Sequence, residues 1–260
     1  MSDIPEVPWR FGDRYSVVDF VQTKNVAILE EATALYSSDN DTFVKNVSEY
    51  MRDEFYYPLD NSGNPAASGQ LLRHQKGLMA YHFKKCVYYM WSLPNEVLAI
   101  GAGICIDTAN LGCSIFRSKG LDGAWVVLGD VISTKNGTLI GRHAWVEVPF
   151  KGKIYVSEYT IHEPDINNLI LAKDVYNKDS NWAQRSGIYY SAQANYNEIE
   201  FIGVGPLGVS MIWLMGLPAK RVLLFGIEAT SSYKQSRLVK EWRQEENLKM
   251  KLLREAYRGI

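Results

Sequence analysis

Residues 142–161 read RHAWVEVPF, then Lys151-Gly152, then KIYVSEYTI. Two alternating apolar and polar runs joined by two residues, the second a glycine, mark a β-hairpin. Because side chains on a strand have a period of two, fixing the turn fixes every partner beyond it. With a two-residue turn Phe150 faces Lys153 and His143 faces Thr160, so Glu158 lies diagonal to His143 on the same face. Diagonal partners of this kind sit roughly 7–8 Å apart at Cα, within reach of long side chains. Alternation puts His143, Trp145 and Glu147 on one face and Ala144, Val146 and Val148 on the other. The apolar set is expected to face the core. The imidazole and the Glu158 carboxylate then share a polar face, where Glu158 can hold the ring in one tautomer.

A histidine and an acid so placed direct attention to a nucleophile. Upstream, GAGICID (101–107) sets Cys105 behind Gly101 and Gly103 and directly ahead of a helical pattern. From Cys105 to about Ser118 that pattern carries Ile106, Ala109, Leu111, Cys113, Ile115 and Phe116 as apolar positions. A cysteine at a helix start feels unpaired backbone N–H groups and the positive end of the helix dipole, and both favour thiolate. The two glycines are expected to let the backbone turn sharply and a substrate approach the sulfur closely. The same N–H groups can cradle an oxyanion. Asp107 reads as an acid capping the first turn. Cys113 sits mid-helix among apolar residues and reads as core, and Cys86 reads as structural.

GAGICIDTANLGCSIFRSKGLDGAWVVLG, then GRHAWVEV, then GKIYVSEYT resembles the transglutaminase-like superfamily of cysteine enzymes. The earlier VSEYMRDEFYYPLD is similar to that family's helix leading into a Tyr-rich strand start, so the resemblance spans roughly residues 40–162. It implies that Cys105 is the nucleophile, His143 the general base and acid, and Glu158 the orienting acid. The family's usual residue at the last position is Asp, one methylene shorter. Its side-chain oxyanion donor lies upstream of the cysteine, where Gln70, Gln75, Tyr88 and Trp91 are available; Trp91 and Gln75 are the candidates retained.

Composition narrows the setting. The chain has 260 residues, 47% hydrophobic and 22% charged, enough to build a core without disulfides or a metal. Its three cysteines form no CxxC pair, which argues against a disulfide framework and a cysteine zinc site. No cofactor is expected. A net charge of −1 gives no general pull toward nucleic acid or anionic membrane, so no specific nucleic-acid partner is expected. The first residues, MSDIPEVPWRFGDRY, carry acids and prolines early and lack the apolar core of a signal peptide, so a cytoplasmic setting is expected.

Four segments are expected along the chain. Residues 1–20 read as an extended N-terminal arm and 21–165 as the transglutaminase-like core. Within the core, 24–37 and 41–56 are helices, the second capped by Asp41 with Phe43, Val44, Val47, Tyr50 and Met51 on one face. Residues 58–69 are loop, 70–92 mostly helix, and 123–132 β-rich. Residues 166–230 form an apolar extension packing on the core or a partner. Its run FIGVGPLGVSMIWLMGLPA (201–219) has the length of a membrane span, but Gly203, Gly205, Pro206, Gly208, Gly216 and Pro218 interrupt it, which argues against one. Residues 231–260 read as a charged, ion-paired C-terminal helix.

The fold expected is therefore α+β and papain-like, a helical half carrying Cys105 packed on an antiparallel sheet carrying His143 and Glu158. The expected activity is acyl transfer at an amide bond of a protein or peptide substrate, with hydrolysis as the default outcome because it needs no second binding site. The rival expectation is an assembly protein on the same fold, with little or no catalysis. It would be a subunit of a homo-oligomer or a multimeric or viral particle, joined through 201–219 and the C-terminal helix.

Overall fold

The computed structural model describes residues 4–8, 14–55, 91–101, 103–160 and 168–204. The expected loop at 58–69, residues 70–90 of the helix expected at 70–92, the C-terminal helix, most of the 201–219 run, Cys86, Gln70, Gln75 and Tyr88 lie outside the described residues, and Trp91 and Ser92 are described but not helical.

Helices come first. α1 (Val26–Leu35) is capped by Asn25, whose Oδ1 accepts the Ala27 N–H at 3.1 Å. α2 (Asn40–Glu54) begins two residues earlier than the capping expectation required. Its N-cap is Asp39, whose Oδ2 accepts the Thr42 N–H at 2.9 Å. Asp41 serves the hairpin instead, since its Oδ1 accepts the Lys151 N–H at 2.8 Å and ties the turn to the start of α2. The apolar face of α2 is as expected, with Phe43, Val44, Val47 and Met51 fully buried. α3 (Pro94–Ile100) starts on a proline and ends at Gly101, which takes φ 70°. α4 (Cys105–Ser118) follows.

The rest of the described chain is mainly sheet. A small antiparallel ribbon, β1 (Glu6–Pro8) with β2 (Arg14–Ser16), lies in the segment read as an arm. Val17 and Phe20, just after it, are fully buried and pin that segment to the core. The main sheet contains β3 (Trp125–Ser133), β4 (Leu139–Phe150), β5 (Lys153–Ser157), β6 (Leu169–Leu171), β7 (Ile188–Tyr196) and β8 (Phe201–Gly203). Their order is β6-β5-β4-β3-β7-β8 and every pairing is antiparallel. Two short helices, α5 (Ala172–Val175) and α6 (Asn181–Ser186), connect β6 to β7. Within the span read as an extension, residues 169–203 thus supply three strands to the same sheet, and the boundary expected at 165 falls between neighbouring strands.

The hairpin register is the one the turn dictates: Phe150 pairs with Lys153, Val148 with Tyr155 and Val146 with Ser157. Lys151 and Gly152 both take positive φ, 50° and 69°, the pattern of a two-residue primed turn. The expectation of one polar face is corrected. Ala144, Val146 and Val148 do pack with Phe43, Ile106, Ala109 and Phe116 beneath the helices. The opposite face is also covered, because Trp145, Val127 and Val156 pack against Val175, Trp182 and Tyr190 from the α5–β7 segment. A strand buried on both sides keeps its alternation only in residue type, and here the second face is aromatic rather than wet. Each fully buried large apolar side chain contributes about 1.5–3 kcal/mol relative to exposure. Together these arrangements make an α+β fold, with a helical half carrying Cys105 on an antiparallel sheet carrying His143 and Glu158.

Candidate active site

Cys105 is the first residue of α4, and the reason the helix starts there is Asp107. Its Oδ2 accepts the Ile104 N–H at 3.1 Å, as an acid in the first turn is expected to do. Its Oδ1 accepts the Ser92 N–H at 2.8 Å, joining the start of α4 to the segment before α3. Thr108 N–H then bonds back to Ile104 O at 3.0 Å and begins the helical ladder. The two glycines divide the work. Gly101 supplies the left-handed turn that ends α3. At Gly103 a Cβ would stand 2.8 Å from the Asp107 Cβ, so the residue must be glycine for the capping acid to fold back. The close approach at Gly103 is therefore made by Asp107.

β4 delivers His143, and the chain just beyond β5 delivers Glu158. Glu158 N–H donates to Asn168 O at 2.8 Å, extending the β5–β6 pairing past its last ladder residue. The Asn168 side chain in turn donates to Ser48 O, and Ser48 and Ser157 share a hydrogen bond of 2.8 Å. The acid is thus anchored to α2 as well as to the sheet. All three polar groups are withdrawn from solvent: Cys105 is 3% exposed, His143 6% and Glu158 2%.

His143 Nε2–H donates to Glu158 Oε2 at 2.8 Å. The extra methylene of glutamate does not prevent direct contact. The Cys105 side chain engages the same imidazole. With Nε2 given to the carboxylate, Nδ1 is the ring nitrogen left for the sulfur. Oε1 of Glu158 accepts the Thr160 backbone N–H and its hydroxyl, each at 2.9 Å. Oε2 also accepts the Tyr190 hydroxyl at 3.0 Å.

The electrostatics follow from this pairing. Burial alone lowers an imidazole pKa, but Glu158 beside the ring and the Cys105 contact outweigh it, taking His143 from 6.5 up to about 10. Burial alone raises a carboxyl pKa, but His143 and the Thr160 donors outweigh it and hold Glu158 at about 2, below its ordinary 4.5. Near neutral pH the buried pair is imidazolium and carboxylate. Burial pushes the Tyr190 phenol well above its ordinary range, and the Glu158 charge adds to this, so it stays a donor.

Aromatic rings hold the imidazole in place. Tyr190 meets it edge-on at 5.5 Å, and Trp145 lies 6.0 Å away. Trp145 is fixed in turn by its Nε1–H, which donates to the Tyr176 hydroxyl at 3.0 Å, and Tyr176 donates to Glu147.

The residues expected from sequence fall into two groups. Cys105, His143 and Glu158 converge. Trp91 is 1% exposed and packs between Phe20, at 5.1 Å, and Tyr196, stacked at 6.3 Å. Cys113 is fully buried in the core, as expected, with its Sγ 3.7 Å from Ala124 O. Two donors to Glu158 were not singled out. Thr160 was legible from the alternation alone, which sets it opposite His143, although the β4–β5 ladder itself ends at Val146 and Ser157. Tyr190 carries no local signal, since it arrives from a strand 32 residues further on. Among the described residues, no cluster of His, Cys, Asp or Glu is arranged to hold a metal ion, and no helix is long and apolar enough to cross a membrane.

No protein-family model matches the chain. No curated protein matches it in sequence. Among solved structures, calcium-bound LapG of Legionella pneumophila is similar with a TM-score of 0.42 and 12% identity, over 73% of this chain and 85% of that one. The EGTA-treated form of the same protein gives a TM-score of 0.42 and 14% identity, over 83% of this chain and 86% of that one. A further LapG structure from that organism gives 0.36 and 12%, over 75% of this chain and 96% of that one.

Proposed function

We propose that this chain is a transglutaminase-like cysteine enzyme that transfers an acyl group from an amide bond through Cys105, His143 and Glu158. Its default reaction is hydrolysis of a peptide or side-chain amide. The observation that carries this reading is one buried imidazole held at 2.8 Å by Glu158 and also engaged by a cysteine at a helix start. In the first half-reaction the Cys105 thiolate attacks the amide carbonyl and the carbonyl oxygen becomes an oxyanion. Backbone N–H groups at the start of α4 would receive that charge. The C–N bond then breaks as His143 gives its proton to the departing amine, leaving a thioester on Cys105. In the second half-reaction neutral His143 takes a proton from water. The resulting hydroxide attacks the thioester, and the acid product leaves with Cys105 restored to thiolate. A lysine amine in place of water would give transamidation instead.

The test is single-turnover acylation with a library of amide-mimicking, thiol-directed probes, read by mass spectrometry of the intact chain. One adduct on wild type and none on Cys105→Ala supports the reading. Equal labelling of both removes it. Adding a primary amine during turnover of a captured thioester separates hydrolysis from transamidation.

A second reading, assembly on this fold, is favoured by one observation. Ile202 on β8 and Ile199 and Val204 on either side of it are 41%, 66% and 52% exposed, and β8 is the last strand in the sheet order among the described residues. Light scattering behind size exclusion, run beside the probe assay, distinguishes a large assembly with an inert Cys105 from a small reactive species.

A further inference from the structure

We infer that Tyr190 is a positioning residue for the Glu158 carboxylate, acting through its hydroxyl on the oxygen that holds His143. This rests on the reading of Cys105, His143 and Glu158 given above. The two carboxylate oxygens are used symmetrically. Oε1 accepts two donors from Thr160, and Oε2 accepts His143 Nε2–H at 2.8 Å and the Tyr190 hydroxyl at 3.0 Å. An ionised carboxylate has about four acceptor sites, so the group is filled, and its rotation would break at least one bond. A glutamate needs such a clamp more than an aspartate does, because it has one more rotatable bond to fix before it can aim at the ring.

The placement of Tyr190 is itself constrained. It is 1% exposed, and its ring lies 4.8 Å from Trp145 and edge-on to Trp182 at 5.7 Å. Those contacts leave the hydroxyl little freedom to turn elsewhere. β7 therefore contributes to the site although it carries none of the three reacting groups. Its hydroxyl fixes the acid, the acid fixes the imidazole, and the imidazole faces the sulfur.

Tyr190→Phe keeps the ring and removes only the hydroxyl. Two measurements on the full chain test the inference. The first is single-turnover acylation of Cys105 by an amide-mimicking probe. The second is the NMR signature of the His143 imidazole, including solvent exchange of its Nε2–H, which needs no turnover. Both are made on wild type, Tyr190→Phe, Glu158→Gln and the double variant. A hydrogen bond to a charged group is worth enough that we expect about tenfold slower acylation in Tyr190→Phe. We also expect faster exchange of the imidazole proton. In the Glu158→Gln background the same change should alter neither readout, because the hydroxyl acts through the carboxylate. Loss of thermal stability with both readouts unchanged would mark Tyr190 as packing alone and overturn the inference. So would an equal effect with and without the Glu158 carboxylate. If wild type does not acylate but its imidazole signature still depends on Tyr190 only when Glu158 is present, the positioning role stands and the enzyme reading falls. If wild type acylates normally and Tyr190→Phe matches it in both readouts, the enzyme reading stands and the positioning role falls.

Discussion

Gly129 stands directly opposite His143 in the β3–β4 ladder, and it has no room for a side chain. A Cβ there would lie 2.3 Å from Ser191 O and 2.5 Å from the tip of the Trp145 ring. The β3–β7 register also shifts at this point, between Leu128 and Gly129. Neither neighbour can yield cheaply, since one is backbone and the other is a buried ring bonded to Tyr176. Gly129→Ala should therefore cost about 3 kcal/mol of stability. It should also slow Cys105 acylation, because the strand that must move is the one paired with His143. Urea unfolding and the probe assay, run on the same preparation, check both effects. A variant that loses neither would show that the strands accommodate the methyl group.

Glu158 is expected to be indispensable as a charge. Glu158→Gln keeps the shape but cannot stabilise imidazolium, and its NH2 can favour the wrong tautomer. The comparable change in a serine triad costs about 10⁴ in turnover. We expect a loss of about 10³–10⁴ in single-turnover acylation. Glu158→Asp should fall between Gln and wild type, because the shorter acid cannot hold the ring, Thr160 and Tyr190 together. Wild-type rates in Glu158→Gln would reduce Glu158 to a structural ion-pair partner.

The same pair predicts a stability window in pH. The His143 pKa is raised from 6.5 to about 10, so its contribution is complete below about pH 6.5 and disappears as pH rises through about 10. The Glu158 pKa is lowered from 4.5 to about 2, so its contribution is complete above about pH 4.5 and disappears as pH falls through about 2. The stability gap between wild type and Glu158→Gln should accordingly be widest between about pH 4.5 and 6.5 and narrow on either side. Denaturant midpoints measured across pH 3–10 test this, and a pH-independent gap would contradict the ion pair.

Cys105 and Cys113 are both buried free thiols on one helix, yet they should react differently. Cys113 lies wholly in the core, and burial pushes its thiol well above the ordinary range. Cys105 is the first residue of its helix, with its side chain against the His143 imidazole. Iodoacetamide on the native protein, mapped by peptide mass spectrometry, should modify Cys105 first and reach Cys113 only after unfolding. Equal rates at the two sites would contradict the setting assigned to Cys105.

Much of the site is local, and local features can be read directly from sequence. Lys151-Gly152 specifies a two-residue turn, and a side-chain period of two carries the register as far as Val146 and Ser157. That is enough to expect His143 and Glu158 near each other, while the chain beyond Ser157 is set by Asn168. The start of α4 at Cys105 follows from an acid two residues into the helix and a glycine that lets it fold back. The capping of α2 was misplaced by two residues because Asp39 and Asp41 are both plausible caps, and only the contact of Asp41 with Lys151 separates them.

What remained hidden depends on contacts between distant segments. Alternation along β4 distinguishes two faces but cannot say whether the second meets water or more protein. That was decided by Trp182, inside the second of two helices of four and six residues too short to show a clear period, and by Tyr190 on the strand that follows them. β6 and β8 have three residues each and gain their stability from the sheet they join, so nothing in their own sequences announces them. Tyr190 became a donor to Glu158 only because β7 pairs with β3 across the sheet from the hairpin. The sequence by itself determined the two-residue turn that brings the chain leading to Glu158 back beside the strand of His143; the tertiary structure decided that the two side chains meet in a buried aromatic enclosure, because burial and long-range pairing are properties of the whole packed chain.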